Sequence, residues 1–295
     1  GWLTLYPCGD TPPVVSSLNF AAGATRVSHA IVRLNVDEDF CVFSSIPAHV
    51  VVGLMSWYGD SATTGLSPIA PVRPLDSRQT GKHSEYEVDV PDGEAAAITV
   101  TITGTSSGGL VWAVPCEGDG LDIPVVAYEA NEVVAGATFA PEYSGDICID
   151  VRPNDEAQLP DVIVDVNGVF SVTGPLGFVP TTATRLLDTR GTSSVGGWVG
   201  RHGARQTLDI PAAPAGAQAV TGTLTLVRPD LKSWLTAYEC GTTLPPSSSV
   251  NAGPGLVLAN STTMGVRPAD GKLCIFSSGP TNTLFDVVGW WVVLS

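Results

Sequence analysis

Two short motifs place a carboxylate and a guanidinium group two residues apart. Asp76 and Arg78 belong to a Leu-Asp-Ser-Arg sequence, and Asp188 and Arg190 belong to a Leu-Asp-Thr-Arg sequence. In an extended segment, side chains two residues apart lie on one face, where such a pair could bind a sugar or a carboxylate. The same pair can instead serve as an ion pair or turn cap within the fold. We favour this structural role, because the pair recurs in both copies of the motif.

Two further carboxylates interrupt runs of apolar residues, namely Asp165 and Asp286. A carboxylate that is buried in an apolar strand needs a partner, since burial of an unpaired charge is costly. We predict that each of them pairs with one of the two motif arginines, Arg78 or Arg190. A metal ion is the second interpretation.

Other polar groups give weaker signals. Glu117–Asp122 has an acidic spacing that could hold calcium, but it lacks the full calcium-loop pattern with its distal glutamate, so a solvated turn is favoured. The four histidines occupy unrelated positions: His29, His49, His83 and His202. We assign no catalytic residue, no metal ligand and no cofactor, and we predict a protein that is not an enzyme. A Ser/His/Asp arrangement, which only geometry can reveal, stays an alternative.

The six cysteines form three pairs at nearly constant separations of 33, 32 and 34 residues. No close Cys-x-x-Cys cluster suggests a metal site. We predict three disulfides, each of which contributes roughly 3–4 kcal/mol in the chain-entropy model. The predicted pairs are Cys8 with Cys41, Cys116 with Cys148, and Cys240 with Cys274. Disulfides persist in oxidising surroundings, so we expect an extracellular or cell-surface location.

One apolar segment occurs three times and closes three successive units. Its copies are Val50–Tyr58, Val162–Phe170 and Leu284–Trp291, and each is predicted to be a strand. A repeat of this length indicates small domains in tandem rather than the rungs of a solenoid. The predicted units are residues 1–63, a truncated first repeat, 64–172 and 173–295.

The secondary structure is predicted to be almost entirely β. Ile98–Thr103 alternates apolar residues with threonine, and Val220–Leu226 repeats that pattern, which indicates half-buried strands. The 32 glycines and 23 prolines leave little room for long helices, and no amphipathic helix is evident. We therefore predict all-β, disulfide-pinned antiparallel sandwiches in tandem, with a barrel as the alternative.

The composition limits the possible partners. The net charge of −15 argues against nucleic acid and anionic lipid, because a polyanion would be repelled. No apolar run approaches the roughly 20 residues that cross a bilayer, so membrane insertion is not expected. Apolar residues make up 44% of the chain and charged residues only 15%, which favours contacts between molecules. The opening Gly1-Trp2-Leu3, without an initiator methionine, suggests a processed or trimmed start.

The combination of motifs resembles a repeated domain of secreted and wall-associated proteins in actinobacteria and related bacteria. That domain is marked by an Arg-Leu-Leu-Asp-Thr-Arg opening, a Tyr-Pro-Cys-Gly sequence and a closing Val-Val-Asp-Val-Asn-Gly-Trp-Phe. The matching segments here are Tyr6–Gly9, Leu75–Arg78, Val164–Phe170, Arg185–Arg190, Tyr238–Gly241 and Asp286–Trp291. In the first unit Gly53 replaces the aspartate. The resemblance implies an extracellular accessory module and carries over no catalytic residue.

The first unit lacks equivalents of Leu66 to Gly108, which is 43 residues and two predicted strands. A sandwich without them would expose open sheet edges, unless the unit closes in a different topology. We predict that a neighbouring copy completes it by β-strand addition, with Phe285–Leu294 as the donated segment. Such a head-to-tail homo-oligomer builds a filament or surface array.

The candidate interface residues are apolar and lie near the two ends of the chain. They are Trp2, Leu3, Leu5, Phe285, Trp290, Trp291 and Val292. Because Trp290 and Trp291 are neighbours in a predicted strand, one of them must point away from the core. The alternative function is a monomeric module that binds a surface glycan or wall polymer through exposed aromatic residues and the acidic loops.

Overall fold

The computed structural model describes residues 1–59, 61–117, 122–191 and 195–294. Within these ranges the chain forms 19 antiparallel strands and one four-residue helix, so the predicted all-β class is confirmed. The elements, in chain order, are β1 Trp2–Pro7, β2 Leu18–Asn19, β3 Phe40–Ser44, β4 Gly65–Asp76, α1 Ser77–Thr80, β5 Glu85–Asp89, β6 Ala95–Thr103, β7 Gly109–Pro115, β8 Val126–Tyr128, β9 Val134–Pro141, β10 Asp146–Pro153, β11 Asp161–Ser171, β12 Leu176–Asp188, β13 Gln206–Pro211, β14 Ala219–Val227, β15 Ser233–Glu239, β16 Val250–Ala252, β17 Val257–Gly265, β18 Lys272–Ser277 and β19 Asn282–Val293.

The second and third units are each a sandwich of two four-stranded sheets. One sheet of each sandwich carries the cysteines, and we call it the disulfide sheet: β5-β10-β7-β8 in the second unit and β13-β18-β15-β16 in the third. The opposing sheets, β4-β11-β6-β9 and β12-β19-β14-β17, meet where Leu66 of β4 pairs with Leu176 of β12. They thus form one eight-stranded central sheet. The predicted tandem antiparallel sandwiches are confirmed.

Both faces of β6 and β14 in the central sheet are buried, which differs from the half-buried strands that alternation predicted. In β6, Ile98, Val100 and Ile102 belong to the main hydrophobic core, while Thr99 and Thr101 face the other way and are also buried. The second face is covered because another unit lies on it, and β17 of the third unit packs against β9 of the second.

The three disulfides join the cysteine pairs as predicted. Each one links a residue just after β1, β7 or β15 to the neighbouring strand β3, β10 or β18 of the same sheet. The Cα–Cα distances are 4.9, 4.8 and 5.0 Å. Each disulfide therefore links two adjacent strands within one unit.

The first unit consists of a three-stranded disulfide sheet, β2-β1-β3, and irregular segments that run over the other two units. The sheet repeats the third unit's register, since Leu5 pairs with Val42 as Ala237 pairs with Ile275. The prediction that Val50–Tyr58 forms a strand is wrong, because the segment is irregular. The equivalent strands β11 and β19 each lie hydrogen-bonded between two neighbours, and no such neighbours flank this segment among the described residues.

The predicted unit boundaries fall between β3 and β4 and between β11 and β12. In the described part of the chain, no helix is both long enough and apolar enough to cross a bilayer.

Candidate functional site

The two buried carboxylates are held by arginines on adjacent strands of the central sheet. In the second unit, Arg73 of β4 contacts Asp165 of β11, with Nε 2.8 Å from Oδ1 and Nη2 3.0 Å from Oδ2. In the third unit, Arg185 of β12 contacts Asp286 of β19 in the same way, at 2.8 and 2.9 Å. Both carboxylates are only 1% exposed. Each therefore has the charged partner that its burial requires.

The predicted pairing of these carboxylates with Arg78 or Arg190 is wrong. Arg78 instead contacts Asp76 of its own motif, with its Nε 2.7 Å from Oδ1. Arg190 contacts Asp188 at 3.0 Å from Nε to Oδ1 and 2.7 Å from Nη2 to Oδ2. The physical reason is register, because Arg185 lies directly opposite the buried carboxylate across the β12–β19 ladder, whereas Arg190 lies beyond the end of β12.

The two kinds of carboxylate differ in pKa. Burial raises the pKa of Asp165 and Asp286 above the ordinary value, against the opposing effect of the hydrogen bonds from their arginines. The hydrogen bonds from Arg78 hold the pKa of Asp76 below its usual range. Burial acts to raise the pKa of Asp188, but the hydrogen bonds from Arg190 outweigh it and the pKa is lowered. Each of these four carboxylates is thus paired with an arginine of the same chain, which agrees with a structural role.

Each buried ion pair also contacts a loop of another unit. The backbone N–H of Ser248, in the third unit, donates to Asp165 of the second, and the carbonyl of Pro246 accepts from Arg73. The backbone N–H of Ser16, in the first unit, donates to Oδ2 of Asp286 at 3.4 Å. The third unit is therefore joined to the second, and the first unit to the third, through the same kind of contact.

The loop that makes this contact is the same in the first and third units. The Thr4 hydroxyl donates to the carbonyl of Val15 at 2.6 Å, and the Thr236 hydroxyl donates to the carbonyl of Ser247 at the same distance. Each loop runs into a Ser-x-Asn sequence, which is Ser17–Asn19 in the first unit and Ser249–Asn251 in the third. We call this loop, which contacts the buried ion pair of another unit, the docking loop. The Ser-x-Asn sequence marks its end.

The remaining joint, between the second and first units, has no Arg–Asp pair at the docking loop, although Arg26 of the first unit contacts Glu132 of the second at 2.7 Å. Gly53 occupies the sequence position of the buried aspartates, and Ile123 occupies the position of Val15 and Ser247 in the docking loop. A Cβ atom at Gly53 would lie 1.9 Å from Cδ1 and 2.7 Å from Cγ1 of Ile123. Glycine therefore replaces aspartate here because the space is filled. The three joints close a cycle of three units.

An aromatic cluster lies where the three closing segments meet. Trp291 is 1% exposed, and its ring centroid is 5.5 Å from that of Tyr58 and 5.6 Å from that of Phe170. These three residues hold the same position in their respective closing segments, the fifth after the aspartate or Gly53. Through its contacts with Trp291 and Phe178, Tyr58 anchors the end of the irregular segment to the third unit.

The first unit leaves apolar residues exposed or only partly buried at positions that are core positions in the third unit. We call this set the open face, and it comprises Leu5, Phe40, Val42, Val50, Val52 and Leu54. Their counterparts in the third unit are at most 2% exposed: Ala237, Leu273, Ile275, Thr283, Phe285 and Val287. In the first unit, Val42 is 37% exposed, Val52 52% and Leu54 73%. The first unit therefore exposes to solvent the side chains that would form the core of a complete sandwich.

The outer edge of β3 is also free. In the other units, β5 pairs with β10 and β13 pairs with β18 at this position, whereas no strand among the described residues pairs with the outer edge of β3. The edge strand β5 carries Glu85, Glu87 and Asp89, and the indole of Trp198 caps the carbonyl of Asp209 on β13 at 3.2 Å. Charges and covering groups protect edge strands from unwanted pairing. The five residues of β3 carry no charge.

The structure divides the predicted interface residues into exposed and buried groups. Trp2 is exposed, Leu5, Trp290 and Val292 are partly buried, and Leu3, Phe285 and Trp291 are buried. Phe285 and Trp291 therefore cannot contact another molecule, and that part of the prediction is wrong. The predicted donation of Phe285–Leu294 is wrong too, because β19 is hydrogen-bonded on both sides, to β12 and β14. The missing segment predicted an incomplete first unit with open sheet edges, and the structure identifies the exposed residues that form the open face.

Two of the four candidate histidines pack against other groups of the chain. His202 is buried, with Nε2 3.0 Å from the carbonyl of Gln206, and burial lowers its pKa to about 4. His29 packs edge-on against Phe139, and burial lowers its pKa to about 4 as well. No group of three potential metal ligands occurs in the described ranges. Residues 118–121 of the suggested calcium loop lie outside the described residues.

A small cleft lies between the first and third units. Tyr6, Asp10 and Arg33 line it from the first unit, and Thr182 and Thr223 line it from the third. The guanidinium of Arg33 lies 3.9 Å from the carboxylate of Asp10, and both side chains are about half exposed. These hydroxyl and charged groups could hydrogen-bond to a polar ligand.

No protein-family model matches the chain, and no curated protein gives a significant match. Among solved structures, the chain is similar to the N-terminal CBM22-1–CBM22-2 tandem domain of Paenibacillus barcinonensis Xyn10C, with 10% identity over 70% of this chain and 82% of that one, at a TM-score of 0.20. It is also similar to the plant receptor-like kinase ANX1, with 10% identity over 71% and 83% of the two chains, at a TM-score of 0.21. Scores this low carry no argument about ligand or activity.

Proposed function

We propose that this protein is a non-enzymatic structural or adhesive protein of the cell exterior, which self-associates head to tail by β-strand addition at its first unit. The observation that carries the proposal is the open face, together with the unpaired edge of β3. An uncovered sheet edge is a template for another strand, and main-chain hydrogen bonds then supply affinity.

Apolar burial adds to that affinity. Full burial of a valine or leucine side chain contributes roughly 1.5–3 kcal/mol, so covering Val42, Val52 and Leu54 would favour association substantially. A contact between the open face of one copy and a different surface of the next does not close on itself, and it therefore repeats into a filament or surface array. The donor surface in this proposal is not β19.

The extracellular location is supported by the three disulfides, which persist in oxidising compartments. The resemblance of the motifs to secreted and wall-associated repeats agrees with it. The negative charge of the chain keeps nucleic acids and anionic lipids outside the proposed partners.

Sedimentation velocity over a wide concentration range, with electron micrographs of the same samples, tests self-association. We expect the full chain to form larger species as concentration rises, and a Val52→Asp/Leu54→Asp variant to remain monomeric. Val36→Asp is the matched control, because Val36 is 97% exposed and lies outside the open face. A wild-type chain that stays monomeric at all concentrations and shows no filaments would overturn the proposal.

A second candidate function is binding of a surface glycan, which the polar cleft between the first and third units favours. A polysaccharide pull-down with wild-type protein and an Arg33→Ala variant tests it. Retention that is lost with Arg33→Ala supports glycan binding in the cleft, and no retention on any polysaccharide argues against it.

A further inference from the structure

The complete units show what normally covers the positions that are open in the first unit. Their opening half-units are β4–β6 in the second unit and β12–β14 in the third. In the second unit, β4 and β6 lie on either side of the closing strand β11, and β5 lies on the outer edge of β10. In the third unit, β12 and β14 flank β19, and β13 lies on the outer edge of β18 in the same way.

The third unit specifies the chemistry of a strand that would fit beside β3. In β13, Leu208 pairs with Ile275 and Ile210 pairs with Leu273, and all four side chains are buried. The counterparts of Ile275 and Leu273 on β3 are Val42 and Phe40, by the shared register with β1 and β15. The fitting strand is therefore antiparallel to β3, with two apolar residues at alternate positions.

The strand that fits beside residues 50–58 differs from β4 and β12 in one respect. In the complete units, Arg73 and Arg185 of those strands pair with the buried aspartates. Gly53 offers no carboxylate, and the side chain of Ile123 fills the space above it. An arginine at this position would be left unpaired, so the fitting strand carries an uncharged residue there.

A second copy of this chain cannot supply such a half-unit by exchange without opening one of its own units. The described residues contain three closing segments, including residues 50–58, but only two opening half-units, and both half-units are already paired within the chain. Any exchange between copies would therefore leave one open unit for each chain. Completing the first unit of every copy with an opening half-unit therefore needs a further polypeptide segment.

We propose that the open face binds a polypeptide partner that carries an opening half-unit of the β12–β14 type, with paired apolar residues opposite Phe40 and Val42 and no arginine opposite Gly53. This inference goes beyond the proposed function, since it keeps strand addition at the first unit but assigns the added strands to a polypeptide other than a second copy of this chain.

The test fuses a copy of residues 173–232 to the amino terminus of the full chain, because Ser233 of β15 is the counterpart of Gly1. Within the copy, the residue that corresponds to Arg185 is changed to Leu. We expect the amides of β3 to exchange with solvent at least about tenfold more slowly than in the unfused chain, as residues in a completed sheet do. Binding of a hydrophobic dye to the open face should be lost.

Two controls keep the inference falsifiable. A fusion that carries Leu208→Asp and Ile210→Asp in the copy has the same length but cannot bury its strand beside β3, and it should behave as the unfused chain does. A fusion that retains the arginine should protect β3 less. Unchanged exchange of β3 and a protease-sensitive fused segment would overturn the inference.

The fusion also separates the inference from the proposed function. Protection of β3 in the fused chain supports the half-unit partner even if the unfused chain never self-associates. Self-association that persists unchanged in the fused chain, with β3 unprotected, leaves the proposed function standing and removes this inference.

Discussion

The backbone N–H of Ser16 donates to the carboxylate of Asp286 at 3.4 Å, and this contact joins residues that are 270 positions apart. The same carboxylate accepts two hydrogen bonds from Arg185. One buried aspartate therefore holds a strand pair of its own sandwich and the docking loop of the first unit. The proposed strand addition depends on this joint, because it holds the first unit in place.

Replacing Arg185 with methionine should destabilise the protein by about 3–5 kcal/mol, because it leaves the buried carboxylate of Asp286 without its charged partner. Arg190→Met should cost less than about 1 kcal/mol, since the Arg190 side chain is 47% exposed. Urea unfolding followed by tryptophan fluorescence measures both variants. Equal losses for the two would contradict the structural role of the buried pair.

Gly53→Asp should detach the irregular segment of the first unit, because the new side chain collides with Ile123. We expect loss of the contact between Tyr58 and Trp291, seen as a change in tryptophan fluorescence, and faster proteolysis of residues 45–58. Gly59→Asp is the control, since no neighbouring atom lies within 4 Å of a Cβ at that position. Ile123→Ala should partly restore the Gly53→Asp variant, and failure to do so would point away from this collision.

Acidification should destabilise the chain through His202. Burial lowers the folded-state pKa of His202 to about 4 from an ordinary value of 6.5, so the unfolded state takes up the proton first as the pH falls. Its stabilising contribution is therefore complete above pH 6.5 and is lost between about 6.5 and 4, by roughly 3 kcal/mol in all. His202→Gln should remove about half of the dependence of stability on pH in this window, because burial lowers the pKa of His29 in the same way, whereas the exposed His49→Gln should leave it unchanged. Identical pH profiles for the two variants would contradict the prediction.

The disulfides should differ in their effect on global stability. Replacing Cys240 and Cys274 with alanine should cost roughly 3–4 kcal/mol, because the bond closes a long loop in a complete sandwich. Replacing Cys8 and Cys41 should mainly increase proteolysis within the first unit, since the sheet that they pin is half open. Alkylation and intact mass under native conditions should find no free thiol in the wild-type chain.

Much of the fold was predictable because it depends on short-range patterns. The spacing of Cys240 and Cys274, like that of the other pairs, indicated disulfides within units, and the alternation in Ile98–Thr103 indicated strands. The absence of a Leu-Asp-x-Arg strand from the first unit indicated an incomplete sandwich. The family resemblance itself stays a prediction.

Register and burial could not be predicted in the same way. Only the folded ladder places Arg185, rather than Arg190, opposite Asp286, because strand register is set by pairing between distant segments. Likewise, Val50–Tyr58 is similar in composition to the equivalent strands β11 and β19, but it is irregular because no neighbouring strands flank it among the described residues.

The sequence by itself determined the all-β class, the cysteine pairs and the incompleteness of the first repeat, since each depends on residue types and on spacing along the chain. Only the tertiary structure decided which charges pair, which apolar residues stay exposed and how the three units join in a cycle. The physical reason is that a strand and its buried charges are stabilised by neighbours that are far away in the chain, so their state depends on which neighbours the fold supplies.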